Sequence, residues 1–138
     1  MREILFRGKR VDNGEWVIGD GIHFPKSVNY KGTCWIDGRR EKANDWSHVV
    51  PETVGQYTGL KDKNGKRIFE GDIVSCWSEG VHAKGTVQQR KDGMWIIYPA
   101  WQKNIMWGLC PNEYGHTSVE VIGNIHDNPE LIGGTENV

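Results

Sequence analysis

Short apolar runs separated by turn residues make up most of this 138-residue chain. Its 18 glycines punctuate runs that are rich in Val, Ile, Trp, Tyr and Phe, which is the pattern of many short strands joined by turns. No window keeps apolar residues at helical spacing over about three turns without an interrupting Gly or Pro. The pattern therefore predicts a mainly β fold with little helix.

Two hairpins are predicted from their turn residues. Asn13-Gly14 and Asp92-Gly93 favour tight turns, because glycine adopts positive φ at little cost. The strands that these turns join are predicted at residues 3–11, 15–24, 81–90 and 94–98. Two further turns are predicted at Asn64-Gly65, within the polar residues 53–67, and at Gly71-Asp72, where the next strand begins.

The remaining segments give weaker signals. Strands are predicted at residues 29–38, 48–50 and 120–125, a charged loop at 39–46 and a frayed tail at 133–138. Residues 100–110 carry Trp101 and Trp107, and their pattern is ambiguous. Asn128-Pro129 predicts one short helical turn, since Asn caps a helix and Pro suits its first position.

Tryptophan is unusually abundant. Hydrophobic residues make up only 37% of the chain, yet seven of its residues are Trp. Because each large aromatic ring can bury about 150–250 Å², the tryptophans are expected to supply much of the core. Any tryptophan that does not face inward then marks the surface on which to look for function.

The strand at residues 94–98 is apolar on both faces. It is either central and covered on both sides, or it meets a partner subunit, since a small chain has difficulty covering two apolar faces. The same holds for residues 16–18. We therefore predict a homo-oligomer.

Charge and hydropathy exclude several classes of protein. The formal net charge is −1 and the pI is near 6.5, which excludes a polycation that coats nucleic acid or an anionic membrane. No apolar run approaches the roughly 20 residues that cross a bilayer, and the opening apolar stretch is too short for a signal peptide. A cytoplasmic protein without a membrane partner is expected, with Cys34, Cys76 and Cys110 reduced and mostly buried.

Three segments resemble a known family. Residues 53–66 read TVGQYTGLKDKNGK, and residues 68–74 read IFEGDIV. The start of the same pattern matches residues 2–7 (REILFR). Its end matches residues 120–125 (EVIGNI) and 128–131 (NPEL). The chain resembles the YopX-like family of small proteins encoded by bacteriophages and prophages. Residues 21–46 and 75–115 match no fixed pattern.

The resemblance implies a mostly β protein with an SH3-like barrel and no established catalytic residues. We accordingly expect an N-terminal β-hairpin region at residues 1–52. An SH3-like part is expected at 53–132, closed by the last strand and a short helical turn, with a tail at 133–138. One compact unit is the alternative. Because fold does not fix function, the residues must be tested for chemistry directly.

Two nucleotide- and cation-binding motifs are excluded by spacing. A P-loop needs four residues between its glycines and a Ser or Thr after the Lys. Here five residues separate Gly59 from Gly65, and Arg67 stands at the Ser/Thr position. The run Asp62-Lys63-Asn64-Gly65 resembles part of a calcium loop, but Gly71 occupies the position of the bidentate Glu.

No catalytic or metal-binding pattern remains. Glu70 and Asp72 could share one strand face as paired carboxylates, but we favour a structural role in which Asp72 accepts hydrogen bonds from turn amides. The scattered Cys and His residues lack the paired spacing of a zinc site. We predict no catalytic residue, no cofactor, no metal site and no enzymatic activity.

Basic clusters support nucleic-acid binding as the alternative function. The cluster in the motif consists of Lys61, Lys63, Lys66 and Arg67. Tyr57 lies beside it in sequence and is the candidate ring on which a base stacks. Two further basic groups occur at residues 7–10 and 39–42. Small β-barrels bind single strands with such combinations of charge and aromatic rings.

The sequence therefore predicts a non-enzymatic interaction module, an accessory protein of a phage or prophage that acts in the bacterial cytoplasm. Its partner is expected to be a host protein, a phage protein or a second copy of itself. The alternative is a nucleic-acid-binding small β-barrel protein. Gly14, Gly65, Gly71, Asp72 and Gly93 are the predicted structural turns.

Overall fold

The computed structural model shows a mainly β protein whose strands form three antiparallel sheets. The structure describes residues 3–25, 32–38, 46–78, 81–98 and 107–133. Predictions on residues 26–31, 39–45, 99–106 and 134–138, including the basic group at 39–42, lie outside the described residues. Among the described residues the sheets form no closed barrel. The SH3-like barrel that the resemblance implies stays a prediction.

The secondary structure consists of short strands. The strands in chain order are β1 (Phe6–Lys9), β2 (Trp16–Gly19), β3 (Gly21–His23), β4 (Cys34–Asp37), β5 (Trp46–Val49), β6 (Gly55–Lys61), β7 (Arg67–Phe69), β8 (Asp72–Ser78), β9 (Val81–Gln89), β10 (Trp95–Tyr98), β11 (Trp107–Gly108) and β12 (Glu120–Asn124). One 3₁₀ turn covers Pro51–Thr53, and one helical turn, α1, covers Glu130–Gly133. The predicted helical turn after Asn128 is thus present.

The chain folds as two compact units, residues 1–57 and 58–138. Each unit has its own apolar core. Strand β6 contains the boundary, so the stretch that the sequence predicts as polar turns is a seven-residue strand. Its early residues pair with β1 in the first unit.

In the first unit, the predicted return strand at residues 15–24 is divided. Strand β2 pairs with β1 across the turn at Gly14, whereas β3 pairs with β4 in a separate sheet of order β3-β4-β5. The chain changes sheet after Gly19, where a Cβ would collide with the carbonyl oxygen of Asp37. This close approach of two backbones is a tertiary effect, and the local turn signals do not indicate it.

The core of the first unit is aliphatic. Its fully packed members are Val17, Cys34, Ile36 and Val49. Three of these lie on the inner face of the β3-β4-β5 sheet, because β4 and β5 alternate buried and more exposed residues along their length. Burial raises the pKa of the Cys34 thiol, which keeps it protonated and unreactive.

The second unit is centred on a five-stranded sheet of order β11-β10-β9-β8-β12. The predicted hairpin of β9 and β10 is present, with Gly93 at a φ of 92° in its turn. One sheet face carries a core that includes Val74, Val87 and Ile97. Helical turn α1 packs against β9.

Strand β10 is covered on both faces within the single chain. Trp95 and Ile97 belong to the core, and Ile96, which points to the other face, is also buried. The strand therefore matches the first of the two predicted alternatives and supplies no argument for a partner subunit. The homo-oligomer stays a prediction, to be tested by light scattering against the monomer mass of 15.7 kDa.

The expectation of a tryptophan-rich core is wrong for the described side chains. The four tryptophans with described side chains are Trp16, Trp35, Trp46 and Trp95, and of these only Trp95 is buried. The two cores consist mostly of Val, Ile, Leu and Cys. Of the cysteines, Cys34 and Cys76 are buried thiols and Cys110 is exposed.

Candidate functional site

The turn between β6 and β7 is built around the carboxylate of Asp62, which is 1% exposed. Its Oδ1 accepts hydrogen bonds from the backbone N–H groups of Asn64 at 2.9 Å and Lys66 at 2.8 Å. Its Oδ2 accepts one from the N–H of Val121 at 3.1 Å. The first two bonds close the turn, and the third ties it to β12.

Opposing effects set the pKa of Asp62. Burial raises the pKa, whereas hydrogen bonds from the backbone amides of Val121, Lys66 and Asn64, together with the charge of Lys66, lower it. The net result is a pKa below the usual range. The carboxylate is therefore charged at neutral pH, and its oxygens already accept backbone hydrogen bonds, which indicates a structural role.

Asp72 is a second buried carboxylate in the same motif. Its Oδ2 accepts a hydrogen bond from the N–H of Phe69 at 2.8 Å, across a turn in which Gly71 has a φ of 90°. Glu70 is exposed in that turn. Because one carboxylate is buried against the backbone and the other faces solvent, the two do not share a catalytic environment.

The basic cluster of the motif is only partly placed as the sequence predicts. Its lysines, Lys61, Lys63 and Lys66, are exposed, and Arg67 is half-buried. The Nζ of Lys63 lies 3.9 Å from Glu120. Tyr57 is 5% exposed, and a buried ring offers no face on which a base could stack. Tyr57 is therefore a core residue and drops out of the predicted contact set.

The basic group at residues 7–10 interacts within the chain. The guanidinium of Arg7 lies 4.7 Å from the centre of the Trp16 ring, and the Nζ of Lys9 lies 5.8 Å from it. Both distances permit cation–π attraction. Arg10 forms an ion pair with Asp12 at 2.8 Å. These cations have partners within the first unit and do not support a nucleic-acid surface there.

The outer face of the β3-β4-β5 sheet carries aromatic and imidazole rings. The register places His23 opposite Trp35, Trp35 opposite His48, and Trp46 opposite Asp37, so their side chains share the face away from the aliphatic core. We call the set His23, Trp35, Trp46 and His48 the aromatic face. Trp35 and His48 are stacked, with ring centres 4.7 Å apart and planes inclined by 15°.

Gly21 makes room for the Trp46 ring. A Cβ at Gly21 would lie 3.3 Å from Trp46 Cη2 and 3.2 Å from Asp37 Cβ, which is tighter than ordinary van der Waals contact. The Trp46 ring thus extends from β5 across to β3. There it meets His23 edge to face, with ring centres 6.3 Å apart and planes inclined by 71°.

A groove of about 370 Å³ opens on the aromatic face. It is lined by His23, Pro25, Trp35 and Trp46. Trp46 remains 41% exposed, so part of a large apolar ring faces solvent. Among the described residues, the groove is lined by indole, imidazole and proline rings, which suit an apolar ligand group.

Sequence reasoning misses the aromatic face although a signal is present. Residues 34–37 alternate Cys and Ile with Trp and Asp, and residues 46–49 alternate Trp and His with Ser and Val. Such alternation marks a sheet with two unlike faces. The prediction of a charged loop at 39–46 includes Trp46 and so conceals the second half of the pattern.

The described part of the chain contains no cluster of three or more His, Cys, Asp or Glu side chains arranged to hold a metal ion. Within the same residues, no helix has the length and apolar character that crossing a bilayer requires.

The fold and the site define a small mainly β protein with an exposed aromatic sheet face. The chain belongs to the YopX protein family, whose model matches residues 5–133. It is similar to protein EF1440 from Enterococcus faecalis, known from a crystal structure, with 20% sequence identity and a TM-score of 0.43 over 96% of this chain and 99% of that chain. No curated protein matches the chain.

Proposed function

We propose that this protein is a non-enzymatic interaction module and that the aromatic face is its binding face. The observation that carries the proposal is the pair of tryptophans, Trp35 and Trp46, lining a groove on the sheet face opposite the aliphatic core. Tryptophan is enriched among the residues that dominate binding energy at protein interfaces, because its large ring is desolvated when a partner docks.

The partner that suits this groove is an extended protein segment with proline or aromatic side chains. Aromatic-lined grooves bind such segments through flat ring contacts, and a proline-rich segment loses little entropy on binding. The groove volume of about 370 Å³ accommodates a few side chains. The stacked Trp35 and His48 rings hold one wall in place, which reduces the entropy lost when the partner binds.

The resemblance to phage and prophage proteins supports an accessory role in the bacterial cytoplasm, with a host or phage protein as the partner. Nucleic-acid binding, the second candidate function, depends on a different part of the chain, the basic turn between β6 and β7. An SH3-like barrel is not needed for either function and stays a prediction.

A tagged pull-down from the bacterial host, with and without nuclease, tests the proposal. Wild-type protein should retain a partner that resists nuclease, and Trp46→Ala and Trp35→Ala should each lose it. Met94→Ala is the matched control, since Met94 is an exposed apolar residue on the second unit. Equal retention by all four proteins, or no nuclease-resistant partner at all, would contradict the proposal.

A further inference from the structure

In the second unit, the turn between β6 and β7 is joined to a loop that precedes β12. We call residues 61–67 the basic turn and residues 112–116 the tyrosine loop. The N–H of Lys61 donates to the carbonyl of Gly115 at 2.9 Å, and the N–H of Thr117 donates to the carbonyl of Lys61 at 2.7 Å. The hydroxyl of Thr117 donates to the same carbonyl at 3.0 Å. The two segments are therefore fixed side by side.

The tyrosine loop is held by its own backbone and presents one aromatic ring. The Oδ1 of Asn112 accepts hydrogen bonds from the N–H groups of Tyr114 at 2.9 Å and His116 at 3.1 Å. The N–H of Asn112 donates to the carbonyl of His116 at 2.8 Å, and Gly115 has a φ of 80°. Tyr114 is 79% exposed. A ring presented by an ordered backbone loses little further entropy when a ligand stacks on it.

Positive charge is concentrated next to this ring. Lys61, Lys63 and Lys66 are exposed in the basic turn, and the carboxylate of Asp62 is buried against backbone amides. The opposing carboxylates are those of Glu120, which is half-buried and lies 3.9 Å from Lys63, and of Glu113, which is exposed. Among these described residues, the three exposed lysines of the basic turn outnumber the two carboxylates.

We infer that the basic turn and Tyr114 together bind single-stranded nucleic acid. The lysines would contact successive phosphates, and an unpaired base would stack on the exposed ring of Tyr114. A duplex keeps its bases stacked inside and cannot use the ring in this way. An acidic protein segment could use the lysines but has no base to stack. This inference rests on the second candidate function and deepens it by naming single strands as the ligand and Tyr114 as the stacking ring; it is independent of the aromatic face, which lies in the other unit.

The test is fluorescence anisotropy with labelled oligo-dT and oligo-U of about 16 nucleotides, titrated at several salt concentrations. Wild-type protein should bind both strands with a Kd that rises with salt, at a slope of about 0.7 per phosphate contacted. Replacing Lys61, Lys63 and Lys66 together by Ala should reduce that slope by about 2. Lys91→Ala, which removes an exposed lysine of the β9–β10 turn, should leave it unchanged.

Tyr114→Ala should weaken binding by about 5- to 150-fold with an unchanged salt slope, because one stacked base is lost. Tyr114→Phe keeps the ring and should bind like the wild type. Thermal melts of each variant should match the wild type, since all of these side chains are exposed. The inference is overturned if no salt-sensitive binding occurs, if Tyr114→Ala binds as tightly as wild type, or if polyglutamate competes as well as oligo-dT.

Discussion

The β3-β4-β5 sheet of the first unit and the five-stranded sheet of the second unit use the same kind of residue differently. In the second sheet, Trp95 is buried with Ile97, and the opposite face is covered as well. In the first sheet, aliphatic residues fill the inner face, and Trp35 and Trp46 line a groove on the outer one. The number of tryptophans alone therefore does not show whether they lie in the core or at the surface. That depends on whether other parts of the chain pack against the sheet face that carries them.

The largest expected effect is a loss of unfolding free energy at the tryptophan of the second sheet. Trp95→Ala should lower the free energy of unfolding by about 3–5 kcal/mol, because it leaves a cavity in the core of the second unit. Urea denaturation followed by circular dichroism measures the change. A loss below about 1 kcal/mol, which is typical of surface positions, would show that Trp95 is not a core residue.

The next effect concerns Asp62, which ties the basic turn to β12. Asp62→Asn should lower the free energy of unfolding by about 1.5–3 kcal/mol at pH 7, since a charged acceptor of backbone hydrogen bonds is lost. The folded-state pKa is lowered, so this stabilisation is complete above the unfolded pKa of about 3.9 and is lost as the pH falls through the folded value.

The free energy of unfolding, measured from pH 7 down into this acid range, checks whether the contribution of Asp62 falls with pH. The wild type should lose stability more steeply than Asp62→Asn as the pH falls. Asp12→Asn is the control, because a hydrogen bond from Arg10 also lowers the pKa of Asp12, but at an exposed position. If the Asp62 variant and the wild type show parallel pH profiles, the hydrogen bonds to Asp62 do not stabilise the second unit.

A smaller effect is expected at Gly65, where the backbone has a φ of 84° and no other atom lies within 4 Å of the place that a Cβ would occupy. Only backbone strain opposes a side chain there, so Gly65→Val should cost about 1–3 kcal/mol. Gly108→Ala is the control, since Gly108 lacks a positive φ. An unchanged Tm for Gly65→Val would show that the turn assignment is wrong.

The smallest stability effect is expected on the aromatic face. Trp46→Ala should cost about 1 kcal/mol, mainly from the edge-to-face contact with His23, while partner retention is lost. Calorimetry measures the loss of stability, and the pull-down measures the loss of partner retention. A loss as large as that of Trp95→Ala would mean that Trp46 serves the core and would remove the difference between the sheets.

Local chemistry makes part of this fold predictable. The turns at Gly14 and Gly93 and the hairpin of β9 and β10 follow from residues that are adjacent in sequence. The division of residues 15–24 between two sheets occurs where the backbone of Asp37 closely approaches Gly19, and no local pattern shows this approach.

The candidate sites are predictable only in part, for the same reason. The partner of Asp62 in β12 lies 59 residues away, so its structural role cannot be read from the turn itself. The sequence identifies the lysines of the basic turn, but the exposed ring beside them is Tyr114 instead of Tyr57. Burial depends on contacts between distant segments, and a single sequence does not specify them.

The indole Nε1–H signals of the tryptophans show directly whether the aromatic face is the binding face. NMR spectra of the wild-type protein should be recorded with and without the partner retained in the pull-down, with signals assigned by Trp35→Phe, Trp46→Phe and Trp95→Phe. We expect the Trp35 and Trp46 signals to shift on binding and the Trp95 signal to stay unchanged. Binding that leaves the Trp35 and Trp46 signals unchanged would contradict this expectation.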